Sequence, residues 1–114
     1  MTKIMEATMD TPAVLTQKEA LGLVRRYKQV IAPRFNDKVE VKMFGSYAKG
    51  SANPWSDIDV AVIVPKVDED KWLDTSVGLG MDVDKVSMLI EPILMEKGED
   101  TMIYREVMHT GISV

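Results

Sequence analysis

Two pairs of residues in this chain have the types and spacing to do chemistry. Asp57 and Asp59 stand two positions apart, so on an extended strand both carboxylates leave the same face. Anions that close repel each other and need a counter-charge at the mouth of a buried strand. Paired hard oxygens with room for water and phosphate oxygens suit Mg²⁺. Upstream, Gly45 and Ser46 follow a strand-like stretch and open a short polar segment. A glycine and a serine there offer backbone N–H groups and a hydroxyl to a phosphate with little steric hindrance. Each pair alone is commonplace, since Gly-Ser is most often a turn and Asp-x-Asp often caps a strand in solvent. Ten residues separate Ser46 from Asp57, and the two pairs gain meaning from being joined.

The elements that must position these residues follow from periodicity. Thr16 and Glu19 make a capping box, after which Ala20, Val24, Tyr27 and Ile31 recur at helical spacing with Leu23 and Val30 alongside. Pro33 stops that helix. Val39, Val41 and Met43 alternate with Glu40 and Lys42, which predicts a half-buried strand to Phe44, ended by Gly45. Ser46 to Ser56, punctuated by Gly50 and Pro54, reads as a short helix and a turn. Asp57 to Val64 is a strand apolar on both sides in its far half, as a covered central strand should be.

A second long helix is expected over Asp68 to Met81, with Leu73, Val77 and Met81 on one face and Trp72 beside them. Gly78 and Gly80 each weaken it by roughly 1 kcal/mol relative to alanine. Val86 to Ile90 reads as a third strand ending before Pro92, and Met102 to Met108 as a last helix capped by Gly111. The fold class is α/β or α+β, a small three-stranded mixed sheet covered by helices. Residues 1–12 read as a lead-in segment and 13–114 as a single domain.

Composition narrows the function classes. A chain of 114 residues builds one sizeable core, not two side by side. The formal charge of −4 disfavours a nonspecific grip on nucleic acid, which needs clustered Lys and Arg. With no cysteine there is no disulfide framework and no thiolate metal site. No apolar run has the length of a signal peptide or membrane span, so a cytoplasmic protein is expected. Nine methionines spread along the chain read as adaptable core filling. His109, the single histidine, reads as a helix C-terminal residue, and Arg25-Arg26 as a solvated face. Tyr47 and Trp55 flank the polar loop, where they either pack it or stack on a base.

The joined pattern is Gly45-Ser46, ten residues, Asp57-Ile58-Asp59 and a following apolar strand. It resembles the signature of minimal nucleotidyltransferases in the superfamily of polymerase β and kanamycin nucleotidyltransferase, and the order of elements agrees with that fold. The resemblance implies that Asp57 and Asp59 hold one or two Mg²⁺ ions that clamp an NTP. It places the terminal phosphates on Ser46 and the N–H groups near Gly45, with Lys49 assisting. A nucleoside monophosphate, most commonly AMP from ATP, would pass to an acceptor hydroxyl as pyrophosphate leaves.

The family usually supplies a third carboxylate from the next strand. If the helix from Asp68 to Met81 is a crossover, the second and third strands run parallel and the start of the third lies beside Asp57 and Asp59. With that strand read as starting near Val86, Asp84 is the favoured third acid and Glu91 the alternative. Ile90-Glu91-Pro92 is itself similar to a subgroup of these proteins, which carries an acid where Ser87 stands here.

Small proteins of this kind are often paired with a helical HEPN-type partner in toxin–antitoxin systems, so an antitoxin-like interaction module, with or without catalysis, is the alternative reading. With no separate substrate domain in this sequence, the acceptor surface must come from this domain, from a second copy in a homo-oligomer, or from another chain.

Overall fold

A computed structural model describes residues 14–114; the expected lead-in, residues 1–12, lies outside the described residues. Helix α1 (Gln17–Ile31) opens on the expected capping box. The Thr16 hydroxyl accepts from the Glu19 N–H at 3.0 Å, and the Glu19 carboxylate accepts from the Thr16 N–H at 2.8 Å. Its buried stripe is Ala20, Val24, Tyr27 and Ile31. Pro33 does not end the helical path outright. It sits in a 3₁₀ turn, Ala32–Phe35, where its missing N–H is tolerated near the start of a new turn.

Strand β1 (Glu40–Phe44) runs into helix α2 (Gly45–Lys49), and β2 (Ile58–Val64) follows. Helix α3 (Trp72–Asp82) and a 3₁₀ turn (Val83–Lys85) then lead to β3 (Ile90–Glu96), α4 (Met102–Thr110) and β4 (Ile112–Ser113). The sheet order is β3-β2-β1-β4, with β1 antiparallel to β2 and β4, and β2 parallel to β3. The mixed sheet is therefore as expected in kind, with four strands instead of three. The fourth is the short run after Gly111, which pairs with Lys42 and Met43 of β1.

Alternation along the strands divides the core in two. Val41, Met43, Ile58, Val60, Val62 and Ile90 pack with α1 and α3. Phe44, Ala61, Ile63 and Met95 pack beneath Val107 of α4. Both faces of β2 are covered, which explains its apolar run.

Two further expectations need correction, besides the start of α3, which is Trp72 and not Asp68, and the methionines, of which Met81, Met88, Met102 and Met108 are exposed and not core filling. The third strand is Ile90–Glu96, not Val86–Ile90. Val86 and Ser87 instead direct their N–H groups to the Val83 carbonyl, at 3.0 and 2.9 Å, which keeps that stretch turned. Pro92 is accommodated because β3 is an edge strand, where a missing donor costs little. Second, the α3 residues Leu73, Val77 and Met81 face outward, with 63%, 52% and 67% of their surface exposed.

The buried side of α3 is Gly78, Leu79 and Asp82. Asp82 takes the Arg34 guanidinium at 2.6 Å and Lys85 at 3.2 Å. A side chain at Gly78 would collide with that guanidinium, since a Cβ there would lie 2.7 Å from an Arg34 nitrogen. The Tyr27 hydroxyl donates to the Leu79 carbonyl at 2.7 Å, and burial pushes its phenol pKa up. The glycine that weakens the helix thus makes room for the ion pair that docks it.

The Arg34 hydrogen bond holds the Asp82 carboxyl below its ordinary range. A depressed folded pKa contributes stability that is present above the unfolded carboxylate value and lost as pH falls through the folded one. Asp82→Asn should cost about 1–3 kcal/mol at neutral pH, because Arg34 then loses its charged acceptor while remaining partly solvated. Urea melts should show the deficit shrinking as the parent is acidified through the pKa of Asp82. A deficit that stays constant with pH would exclude this origin.

Candidate active site

Three strand ends meet where Gly45, Asp57 and Asp59 lie. Gly45 adopts φ +75°, a left-handed conformation that L side chains rarely take, and this ends β1 and starts α2. A Cβ on Gly45 would run into the Asp59 carboxylate. The glycine is therefore required twice, for the turn and for the approach of β2's acid. Phe44, at the N-cap position of α2, supplies no capping side chain. The first N–H groups of a helix lack intrahelical acceptors, so those at Gly45 and Ser46 are suited to an anion.

Helix α2 is anchored to α1 and the residues before it. Tyr47 is buried, and its hydroxyl accepts from the Leu15 N–H at 3.4 Å. The Gln17 amide donates to the Tyr47 and Ala48 carbonyls at 3.1 and 3.2 Å. Gly50 then caps α2 with φ +76°. Of the two aromatic residues beside the loop, Tyr47 packs and Trp55 stands out with 74% of its surface exposed.

Asp59 faces Phe44 across the antiparallel pair and Glu91 across the parallel pair. Residues opposite one another share a face of the sheet, and Asp57 shares it by alternation. The Ile58 N–H donates to the Leu89 carbonyl at 2.8 Å, which secures this register at the mouth of the sheet. Partial burial raises the Asp59 carboxyl pKa, and the like charges of Asp57, Glu91 and Glu106 add to the effect. The site has accumulated negative charge it does not neutralise.

The expected crossover is present, and the start of β3 does lie beside the aspartates. Because that strand starts at Ile90, the acid brought there is Glu91. Asp84 is not brought to Asp59: it is exposed on the 3₁₀ turn ahead of the strand, and its Asp-x-Asp partner Asp82 is bound to Arg34. Lys49 is held by Glu106 at 3.3 Å. Glu106 had no local signal in the sequence, because it is a surface residue of α4 that reaches the site only through packing. His109 lies in the last turn of α4, as expected.

Among the described residues, no three His, Cys, Asp or Glu side chains form a ready metal cage. The donor set nevertheless fits a hard divalent cation that keeps water and takes phosphate oxygens, because Asp57 and Asp59 offer two like-charged carboxylates in want of a counter-ion. A surface hollow of about 690 Å³ is lined by Lys66, Val67, Asp68, Glu69, Asp70 and Glu96. It lies at the opposite end of β2.

Known proteins resemble this chain in sequence and in fold. The family model described as "Nucleotidyltransferase domain" matches residues 24–110. A provisionally named protein adenylyltransferase of Methanocaldococcus jannaschii is 30% identical over 98 residues, covering 84% of this chain and 99% of that protein. The protein adenylyltransferase MntA of Thermococcus cleftensis is 27% identical over 104 residues, covering 85% and 98%. A crystal structure of a nucleotidyltransferase, so named provisionally, from Sulfolobus solfataricus shares the fold. Its TM-score is 0.55 at 24% identity, over 85% of this chain and 80% of that one.

Asp59→Asn should stabilise the metal-free protein by about 0.5–1 kcal/mol, since it removes a charge that burial and neighbours both oppose. Gly45→Ala should do the reverse, by about 1 kcal/mol or more, through its positive φ and its collision with Asp59. Thermal melts in a chelator would check the pair. A destabilised Asp59→Asn would show that the carboxylate is structural.

Proposed function

The chain belongs to the nucleotidyltransferase domain family, and on that premise we propose that it transfers AMP from ATP to a hydroxyl on a protein. The observation that carries this reading is the contact of Gly45 with the Asp59 carboxylate, which sets a phosphate-binding turn against a pair of metal-binding acids. The names of its relatives as protein adenylyltransferases support the acceptor class. The acidic chain argues against a nucleic-acid acceptor.

Asp57 and Asp59 are the residues that would hold Mg²⁺, which when bound neutralises the triphosphate and the charge developing at phosphorus. Ser46 and the N–H groups of Gly45 and Ser46 receive the terminal phosphates, and Lys49 adds a cation from the end of the same helix. Glu91, beside Asp59 in the register, is the third carboxylate and stands to take the acceptor's proton. The acceptor oxygen forms its bond to the α-phosphorus as the bond to the β-phosphate bridging oxygen breaks, and pyrophosphate departs with that electron pair. Positioning and electrostatics supply the acceleration. Among the described residues no helix is long and apolar enough to cross a membrane, and we place the reaction in the cytoplasm.

A specific observation favours a protein partner as well. The outer face of α3 carries Leu73, Val77 and Met81 in solvent, around Gly80, where a Cβ would meet nothing within 4 Å. An apolar stripe on an exposed helix marks a docking face. It suits the helical HEPN-type partner with which small proteins of this kind are paired, and that partner is then the natural bearer of the acceptor hydroxyl.

Four variants test the reading. Asp57→Asn with Asp59→Asn should abolish Mg²⁺-dependent ATP binding in calorimetry while the fold persists. Glu91→Gln should lower the transfer rate by about two orders of magnitude, the scale of a positioned base, with ATP binding largely kept and Asp84→Asn near the parent. Leu73→Asp with Met81→Asp should release a co-expressed HEPN-type partner without changing ATP affinity. The opposite ranking of Glu91 and Asp84 in a transfer assay would sink the assignment of the third acid.

A further inference from the structure

Lys49 is the last residue of α2, one turn beyond Gly45, so it shares the helix face on which Gly45 and Ser46 stand. Its ammonium lies 3.3 Å from the Glu106 carboxylate of α4, with 49% and 44% of the two side chains exposed. Glu106 precedes Val107, which packs against Phe44, and Phe44 is the register partner of Asp59. The ion pair therefore bridges α2 and α4 beside the aspartates. The negative charge of Glu106 is also felt at Asp59.

We propose that Glu106 is a positioning residue that holds Lys49 aside until nucleotide arrives and then yields it to the triphosphate. This rests on the nucleotide-binding reading above. An exposed ion pair is a weak restraint, worth a factor of about two to five in an equilibrium, so it opens readily. A triphosphate carries more charge than one carboxylate and accepts a stronger charge-assisted bond. Lys49 thus exchanges one anion for a better one, and the exchange leaves Glu106 as added repulsion that favours later release of pyrophosphate.

The test is a double-mutant cycle in which ATP affinity is measured with Mg²⁺ by calorimetry, alongside thermal melts. Glu106→Gln should bind ATP about two- to fivefold more tightly. Lys49→Met should bind about tenfold more weakly, the scale of one charge-assisted bond. The double variant should match Lys49→Met, because the gain exists only through Lys49. Glu106→Asp, which keeps the charge, should stay near the parent. All four should melt within a few degrees of the parent, as surface substitutions do. An equal gain from Glu106→Gln in the Lys49→Met background would overturn the proposal, showing Glu106 to act as bulk charge alone. No gain from Glu106→Gln in a parent that binds ATP would overturn it too and leave the nucleotide site standing. A parent without Mg²⁺-dependent ATP binding would overturn both.

Discussion

The site depends on one contact, the backbone of Gly45 against the Asp59 carboxylate. Without a Cβ at position 45, β2 can bring an acid directly against the turn where β1 becomes α2. The same positive φ that makes the turn starts α2, whose first N–H groups, like those of any helix, have no intrahelical acceptor. The turn suited to phosphate and the acids suited to a metal adjoin because the Asp59 carboxylate approaches the Gly45 backbone more closely than a side chain at position 45 would permit. The surrounding structure enforces that approach. Phe44 is in register with Asp59, Tyr47 is sunk into the core, and Gln17 of α1 grips the loop carbonyls.

The chain carries two Asp-x-Asp motifs, and their contrast shows how environment assigns a role. Asp82 sits beside Arg34 and Lys85, and its carboxyl pKa falls. Asp59 sits half-buried among Asp57, Glu91 and Glu106, and its pKa rises. The first arrangement resolves its charge within the protein and docks α3. The second leaves charge unresolved, a condition that favours the native state only when a cation arrives. Unmet charge beside a phosphate-suited turn is what distinguishes this candidate site from an ion pair.

The two faces of the sheet divide the remaining labour. On one, α1 and α3 close the larger core, and the Arg34–Asp82 pair turns Leu79 and Gly78 inward. That choice leaves Leu73, Val77 and Met81 in water. On the other, the nine-residue α4 covers Phe44, Ala61, Ile63 and Met95 and brings the charge of Glu106 near Asp59. The apolar stripe thus lies on the layer across the sheet from α4.

Much was legible in the residues themselves. The capping box at Thr16, the alternation to Phe44, the apolar run after Asp59 and the Gly-Ser to Asp-x-Asp spacing are local patterns, determined by chain geometry within a few positions. They were enough to identify most of the elements and the mixed sheet, and to single out the turn and acid pair of the candidate site. What they could not show depended on which distant segment each residue meets. Pro92 reads as the end of a strand until β3 is seen to be an edge, where a proline fits. The stripe Leu73, Val77, Met81 reads as core until Arg34, forty-eight positions from Asp82, selects the other face of α3. Glu91 and not Asp84 lies beside Asp59 because pairing with β2 sets the start of β3, and the charge of Glu106 reaches Asp59 only because α4 folds over Phe44. Periodicity records how a segment can fold, whereas partner and register are set by the packing of segments remote in sequence.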